Sequence, residues 1–446
     1  MPNAAQVTPP RRSLLADGLQ TLVTRLGGVT ITALLGVVTA RVLGPQQRGI
    51  YALPLIDAAL VTTVFSGLSL ATSYFLLHGR APRSVLAAGL RAAALLVACG
   101  AIVVSAMALL EHHIWAILPA IAVLPPAAAA AIASGYYVGT HRVPRSNTLA
   151  LITSALTLIL ITFGLLAIRP QAMVAITMWI VASAVAGFGA LGLTFGEVRA
   201  NDQPHVPFRE YFGFAMRIGA INFVSMLNYR IDVYIVAVMT DPASLGIYVI
   251  AVSGAEALQL VTQIAATITT PRIGSLSDDA SARFTARAIR NTIVFAVAPC
   301  LLLAAFAGRL VPLLFGARFA PAVTPLRIIL IGVFALAPGG LLSSFFTIKL
   351  GKPRLPLMLA AASALLCAVV SVLLVPRLGI TGAALATAIS YVSGVGAFLI
   401  YFSKYSGLPL STILVPQAED IALYRQLVRD ASARLWRTSP IQKPMP

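Results

Sequence analysis

The feature that most constrains this chain is a succession of long apolar stretches separated by short polar ones. Each holds about 20 residues or more, the length at which an α-helix crosses the hydrocarbon core of a bilayer. Twelve are predicted, at residues 14–43, 50–77, 85–110, 114–140, 147–168, 172–195, 211–240, 246–271, 288–308, 325–350, 355–376 and 379–404. Only 10% of all residues are charged, far below the roughly 25% of a water-facing domain. The sequence predicts an all-α polytopic membrane protein with about twelve transmembrane helices.

The basic residues are distributed unequally between the two sides of such a protein. Of 32 Lys and Arg residues, 23 fall in the tails and alternate connections, and seven fall in the remaining connections. Because basic residues favour the cytoplasmic side, this bias predicts a multi-pass protein with both termini in the cytoplasm. The net charge of +18 is spread in short clusters rather than gathered into a patch, which argues against nucleic acid as a partner.

A repeat divides the apolar region into two parts. Pro45, Gly49, Ile50 and Tyr51 recur as Pro242, Gly246, Ile247 and Tyr248, at a constant offset of 197 residues. This predicts two six-helix repeats in the same orientation, a plan found in many transporters. The predicted parts are a cytoplasmic N-terminal tail (1–13), a first half (14–195), a cytoplasmic linker (196–210), a second half (211–404) and a cytoplasmic C-terminal tail (405–446).

Polar residues form stripes on repeat-related helices. The stripes contain Arg25 and Thr32 on helix 1, Asn222, Ser225, Tyr229 and Asp232 on helix 7, and Glu256, Gln259 and Gln263 on helix 8. They predict a central cavity lined by these helices, since long polar side chains are costly in hydrocarbon. The alternative is ordinary helix packing, in which small polar residues such as Thr32 and Ser225 join helices. Two further intramembrane charges, Arg230 and Asp57, lie off the stripes, and Arg230 has the alternative of extending to the interface.

Four segments carry a family resemblance. They are residues 39–53 after helix 1, residues 232–248, residues 314–319 with the sequence Leu-Phe-Gly-Ala-Arg-Phe, and residues 376–387. Through them the chain resembles, over about residues 14–404, the polysaccharide and oligosaccharide flippases (Wzx-like) of the multidrug/oligosaccharidyl-lipid/polysaccharide (MOP) exporter superfamily. The resemblance implies a protein of the inner (cytoplasmic) membrane that moves a polyprenyl-pyrophosphate-linked glycan from the cytoplasmic to the outer leaflet by alternating access. It also implies polysaccharide polymerases and glycosyltransferases as partners, beside the lipid bilayer.

Arg25 is the first candidate for substrate binding, because it lies about eleven residues, or ~16 Å, into helix 1. A guanidinium at that depth needs an anion or water, and a diphosphate matches its fork of donors. The alternative is an internal ion pair with Asp17, Asp232 or Glu256. Asp232 and Glu256 are in turn candidates for coupling-ion sites, for contacts with sugar hydroxyls, or for the partners of Arg25. The neutral stripe residues are candidates for lining the cavity.

No cofactor, metal site or catalytic group is predicted. The adjacent residues Glu111, His112 and His113 do not converge on one ligand, and the three cysteines lie in apolar stretches. A membrane-embedded transferase usually needs a sizeable loop or a cluster of acids and histidines at one face, and the sequence offers neither. The alternative to a flippase is therefore a drug/cation antiporter of the same superfamily, for which a mid-helix arginine such as Arg25 is less natural than a carboxylate.

Overall fold

The computed structural model describes residues 14–110, 113–198, 204–417 and 419–420, and every regular element in these ranges is helical. At several helical positions, Arg25 and Gln263 among them, only the backbone is described. The helices are α1 (Leu14–Val64), α2 (Ser66–Leu77), α3 (Pro82–Leu110), α4 (Ile117–Gly139), α5 (Val143–Phe163), α6 (Ala172–Glu197), α7 (Phe208–Met239), α8 (Pro242–Glu256), α9 (Gln259–Ser275), α10 (Asp278–Phe315), α11 (Val323–Leu336), α12 (Gly339–Ser344), α13 (Arg354–Leu378), α14 (Ile380–Ser406) and α15 (Leu410–Leu414).

Short helical turns of other types extend these elements. Ile114–Ala116 and Ala317–Ala322 form 3-10 turns before α4 and α11, and Gly164–Ile168 and Phe345–Lys349 form π-turns after α5 and α12.

The helix count agrees with the predicted fold class. Ten helical stretches of the described chain are long and apolar enough to cross a membrane. One of them, Leu26–Leu77, has 52 residues, far longer than the roughly 20 that one crossing needs. Its backbone turns at Gly44 (φ 70°, ψ 176°), so it supplies two crossings. With the less apolar pair α8 and α9, this confirms about twelve membrane helices.

Two predicted boundaries are wrong in detail. The first connection, predicted at 44–49, shrinks to the single residue Gly44, because glycine accepts a positive φ and Pro45 suits the first turn of the next helix. The predicted continuous helix 246–271 is broken after Glu256, where the amide of Leu258 bonds the carbonyl of Ala255 in a tighter turn. The polar stripe predicted for the eighth transmembrane helix assumes a regular rotation of 100° per residue about the helix axis. This regular rotation is interrupted between Glu256 and Gln259.

The described chain divides into two compact units. The first unit contains the described residues of 14–250 and 310–322, and its core joins α2, α3, α4 and α7 around Leu68, Leu86 and Leu124. Helix α7 lies against α2 at a glycine: a Cβ atom added to Gly67 would be 2.1 Å from the carbonyl oxygen of Ala215. This packing places α7 in the first compact unit, whereas the predicted second half begins at residue 211. The compact units therefore differ from the predicted halves (14–195 and 211–404), which stay a prediction about the sequence repeat.

The second unit contains the described residues of 251–309 and 323–420. Its core is an aromatic cluster, in which Phe345 and Phe402 pack edge to face with ring centroids 5.1 Å apart. At one end a buried ion pair fastens the C-terminal segment: Nε of Arg290 donates to Asp420 at 2.6 Å, and Arg287 lies 3.3 Å from the other carboxylate oxygen. We call Arg287, Arg290 and Asp420 the clasp.

Candidate functional site

In the first unit, polar side chains of α7 form hydrogen bonds with side chains of α2. The amide of Asn222 donates to the hydroxyl of Ser66 at 2.7 Å, and the hydroxyl of Tyr211 lies 2.7 Å from that of Thr72. Both contacts join helices that also approach closely at Gly67. For Asn222 the structure therefore shows an interhelical hydrogen bond, of the kind by which polar residues hold membrane helices together.

The buried carboxyl of Asp232 has a hydrogen-bond donor. The hydroxyl of Tyr248 donates to Oδ2 of Asp232 at 2.5 Å, and only 3% of Asp232 is exposed. Two residues on, the hydroxyl of Tyr234 donates to the carbonyl of Ile56 at 2.6 Å. Asp232 thus lies in a closed polar contact between α7 and α8, where the hydroxyl of Tyr248 stabilises its carboxyl oxygen.

Three other predicted residues of the first unit have more accessible side chains. The hydroxyls of Thr32 and Ser225 each donate to a carbonyl of their own helix, Gly28 at 2.9 Å and Ile221 at 3.0 Å. Thr32 is exposed, and Tyr229 is 36% exposed. The hydroxyl donors of Thr32 and Ser225 are thus satisfied within their own helices, yet a hydroxyl oxygen that donates keeps acceptor capacity for a ligand.

The intramembrane arginines are only partly described. The backbone of Arg25 lies inside α1, as predicted, while its side chain lies outside the described part of the structure. Arg230 lies in α7 with a half-buried side chain. The assignment of either guanidinium to a ligand therefore stays a prediction.

Asp57 occupies a different environment from Asp232. Its side chain is 0% exposed, and neither carboxyl oxygen has a hydrogen-bond partner in the described chain. A buried polar group without a hydrogen-bond partner is costly in a low-dielectric interior. A functional role of Asp57 stays a prediction, and the structure encloses its side chain among helices.

The predicted residues of the second unit lie at the break in helix 8. Glu256 is the last residue of α8 and Gln259 the first of α9, and both are half-buried. The side chain of Gln263 lies outside the described part. Since the break follows Glu256 directly, these residues occupy an irregular backbone segment, which membrane proteins tolerate where protein or water satisfies its polar groups.

The sequence reasoning missed three residues that the structure places in polar contacts. Tyr211 and Tyr248 supply the hydroxyls described above, and Arg48, counted only as a loop charge, is 9% exposed with its guanidinium 5.1 Å from the ring centre of Tyr51. A tyrosine inside an apolar stretch is the usable signal, because its hydroxyl needs a partner when buried. The burial of Arg48 depends on tertiary packing and has no local signal.

Comparison with known proteins gives a family and a fold. A family model described as polysaccharide biosynthesis protein matches residues 86–324. No curated protein matches the chain at a significant level.

Among solved structures, the chain is similar to an inward-facing multidrug resistance MATE family transporter of the MOP superfamily, with a TM-score of 0.67 and 14% identity over 88% of this chain and 98% of that one. It is similar to the lipid II flippase MurJ, with a TM-score of 0.66 and 14% identity over 90% and 89%. It is also similar to a MOP superfamily transporter from Pyrococcus furiosus, with a TM-score of 0.57 and 13% identity over 89% and 96%. The matches confirm the resemblance predicted from the motifs.

Proposed function

Because the chain belongs to the polysaccharide biosynthesis protein family, we propose that it is a flippase for a lipid-linked glycan. It moves a polyprenyl-pyrophosphate-linked oligosaccharide from the cytoplasmic to the outer leaflet by alternating access, for polysaccharide synthesis or export. The single observation that carries this proposal is the family match over residues 86–324, in a chain whose fold is that of MOP transporters. Transport, rather than catalysis, is the activity of the similar proteins of known structure.

We assign the diphosphate of this substrate to Arg25. Its guanidinium offers a planar fork of donors that matches phosphate oxygens, and a charge at this depth in a helix needs such a partner. Thr32, Ser225 and Tyr229 are assigned to the sugar hydroxyls, since their hydroxyl oxygens retain acceptor capacity. Asn222 is a weaker member of this set, because its amide already bonds Ser66.

The decisive variants are Arg25→Ala and Arg25→Lys, measured by glycan export in a strain lacking the gene and by melting temperature in detergent. Loss of a charge-assisted contact costs roughly 1.5–3 kcal/mol of substrate affinity, so Arg25→Ala should abolish export without loss of stability. Arg25→Lys keeps the charge and loses the fork, so it should retain partial export. The matched control is Arg91→Ala, at an exposed arginine of α3. An unstable Arg25→Ala protein, restored by neutralising Asp17 or Asp232, contradicts the assignment.

The second candidate function is drug/cation antiport, favoured by the TM-score of 0.67 to a multidrug MATE transporter. Proteoliposomes separate the two functions. A flippase should expose a fluorescent polyprenyl-pyrophosphate-linked sugar to an external quencher, and should leave ethidium uptake at the level of empty vesicles. Ethidium transport without movement of the lipid would overturn the glycan proposal.

The proposed location is the inner membrane, with both termini in the cytoplasm. The bias of Lys and Arg supports it. Reporter fusions in the connections at 78–81, 140–142 and 198–207 should report the cytoplasm, and fusions at 44–49 and 240–242 the outer side. A reporter at 198–207 that faces outward contradicts this topology. Polysaccharide polymerases and glycosyltransferases are the proposed functional partners.

A further inference from the structure

The first helical segment of α1 ends against the last turn of α10. Nε of Arg41 donates to the carbonyl of Leu314 at 2.8 Å, and Nη2 donates to the carbonyl of Leu313. The donor and acceptor lie 273 and 272 residues apart in sequence. One side chain therefore ties together two helix ends that are distant in the chain.

The chemistry of the two ends is complementary. Helix α10 ends at Phe315 and is followed by Gly316, whose φ of 102° turns the chain away. The last carbonyls of a helix lack partners within it and carry part of the negative end of the helix dipole. A guanidinium presents two parallel donors and is always charged, so it satisfies both Leu313 and Leu314.

This contact joins two of the segments that carry the family resemblance. Residues 39–53 contain Arg41 and the turning residue Gly44, and residues 314–319 contain the end of α10. A Cβ atom added at Gly44 would lie 3.6 Å from Nη1 of Arg318. Residues 310–322 accordingly belong to the first compact unit, whereas the earlier part of α10 belongs to the second. Helix α10 is thus shared by the two units, and Arg41 bonds its shared end.

We propose that Arg41, with the carbonyls of Leu313 and Leu314, is a latch that holds these helix ends together and opens during the transport cycle. The charge bias places this end of both helices on the outer side. Arg41 is exposed, so water competes for its donors and the bonds are reversible. The latch rests on the proposed alternating-access function, because only a cycle with two arrangements requires a bond that forms in one and breaks in the other.

The test measures the separation of the two helix ends directly. The native cysteines Cys99, Cys300 and Cys367 are replaced by serine, and spin labels are attached at Gln46 and Ala320, two exposed positions on either side of the contact. Double electron–electron resonance on the reconstituted full chain then gives the distribution of distances between the labels. With the native arginine, one short distance should dominate.

Arg41→Ala should raise the longer-distance population about tenfold, which corresponds to 1.4 kcal/mol. Arg41→Lys keeps the charge but loses the planar pair of donors, so it should give an intermediate distance distribution. This variant also serves as the test if the alanine variant does not fold. Arg169→Ala is the matched control, because it removes from the predicted outer side an exposed arginine whose side chain makes no hydrogen bond or ion pair within the described chain.

Unchanged distances in both Arg41 variants would overturn the latch, whatever the transport result. A changed distribution, in a protein whose native form moves no lipid-linked sugar, would uphold the latch and overturn the proposed substrate. A shift of equal size in Arg169→Ala would show a general charge effect and also reject the latch.

Discussion

The clasp offers the sharpest test of the energetics of this fold. Asp420 is 0% exposed and the side chain of Arg290 is 5% exposed, so both charges are removed from water. Oδ2 of Asp420 accepts from Arg290 at 2.6 Å and from the amide of Gln417 at 3.0 Å, and Arg290 also donates to the carbonyl of Thr412 at 2.5 Å. Replacing Asp420 by Asn leaves a buried guanidinium without its counter-charge.

We expect Asp420→Asn to cost about 3–5 kcal/mol of unfolding free energy, the usual penalty for breaking a buried pair from one side. At about 2–4 °C per kcal/mol for a unit of roughly 150–250 residues, the melting temperature should fall by ~6 °C or more. The assay is thermal unfolding of the purified full chain in detergent at neutral pH. Glu419→Gln is the control, because it removes one carboxylate from the neighbouring exposed position.

The pH dependence of the clasp has a defined sign. Burial alone raises the pKa of the Asp420 carboxyl, but the hydrogen bond from Arg290 and the nearby charges outweigh it, so the pKa lies below its usual value. A lowered folded pKa means that the stabilisation is fully present above the unfolded pKa of about 3.9 and is lost as the pH falls through the folded pKa. The gap between native and Asp420→Asn melting temperatures should therefore shrink below about pH 4. A gap below 1 °C at neutral pH refutes the reasoning.

The remaining predictions concern the first unit and are measured by melting temperature. Gly67→Ala forces a methyl group against the main chain of α7 and should cost roughly 1–3 kcal/mol, whereas Gly28→Ala, which meets nothing within 4 Å, should cost nothing; equal effects would contradict the packing. Tyr248→Phe removes the donor to buried Asp232 and should cost about 1–3 kcal/mol, so an unchanged protein would argue against that bond. Asp57→Asn keeps the shape of a side chain whose oxygens have no partner in the described chain, so it should be nearly neutral; a loss as large as that of Tyr248→Phe would show that the carboxyl has a partner.

The helix count was predictable because the length of an apolar stretch is a local property. The positions at which these helices break were harder to predict from the sequence. Gly44 and Pro45 mark a connection in the sequence, but nothing local shows that the turn occupies one residue. The break after Glu256 is harder still, since the residues on both sides of it are good helix formers, and only the polarity of Glu256 and Gln259 hints at irregular backbone.

In the candidate site too, the sequence predicted local features but not contacts between distant segments. Periodicity placed Asn222 and Asp232 on a polar stripe of α7, but it could not supply the hydrogen-bond partners Ser66 and Tyr248, which come from other helices. Whether such a residue binds a neighbour or a ligand depends on packing between segments distant in sequence. That is why the sequence left the cavity and the packing interpretations of these stripes open.

The clasp also sets a condition on how the protein is made. Arg290 and Asp420 are 130 residues apart, which corresponds to roughly 6–26 s of synthesis at 5–20 residues per second. During that interval the beginning of α10 exists without the carboxylate that neutralises Arg290. The arginine must stay near water or lipid headgroups until residue 420 emerges, so burial of this end of α10 is a late event. A chain interrupted before Asp420 retains an uncompensated arginine at this position.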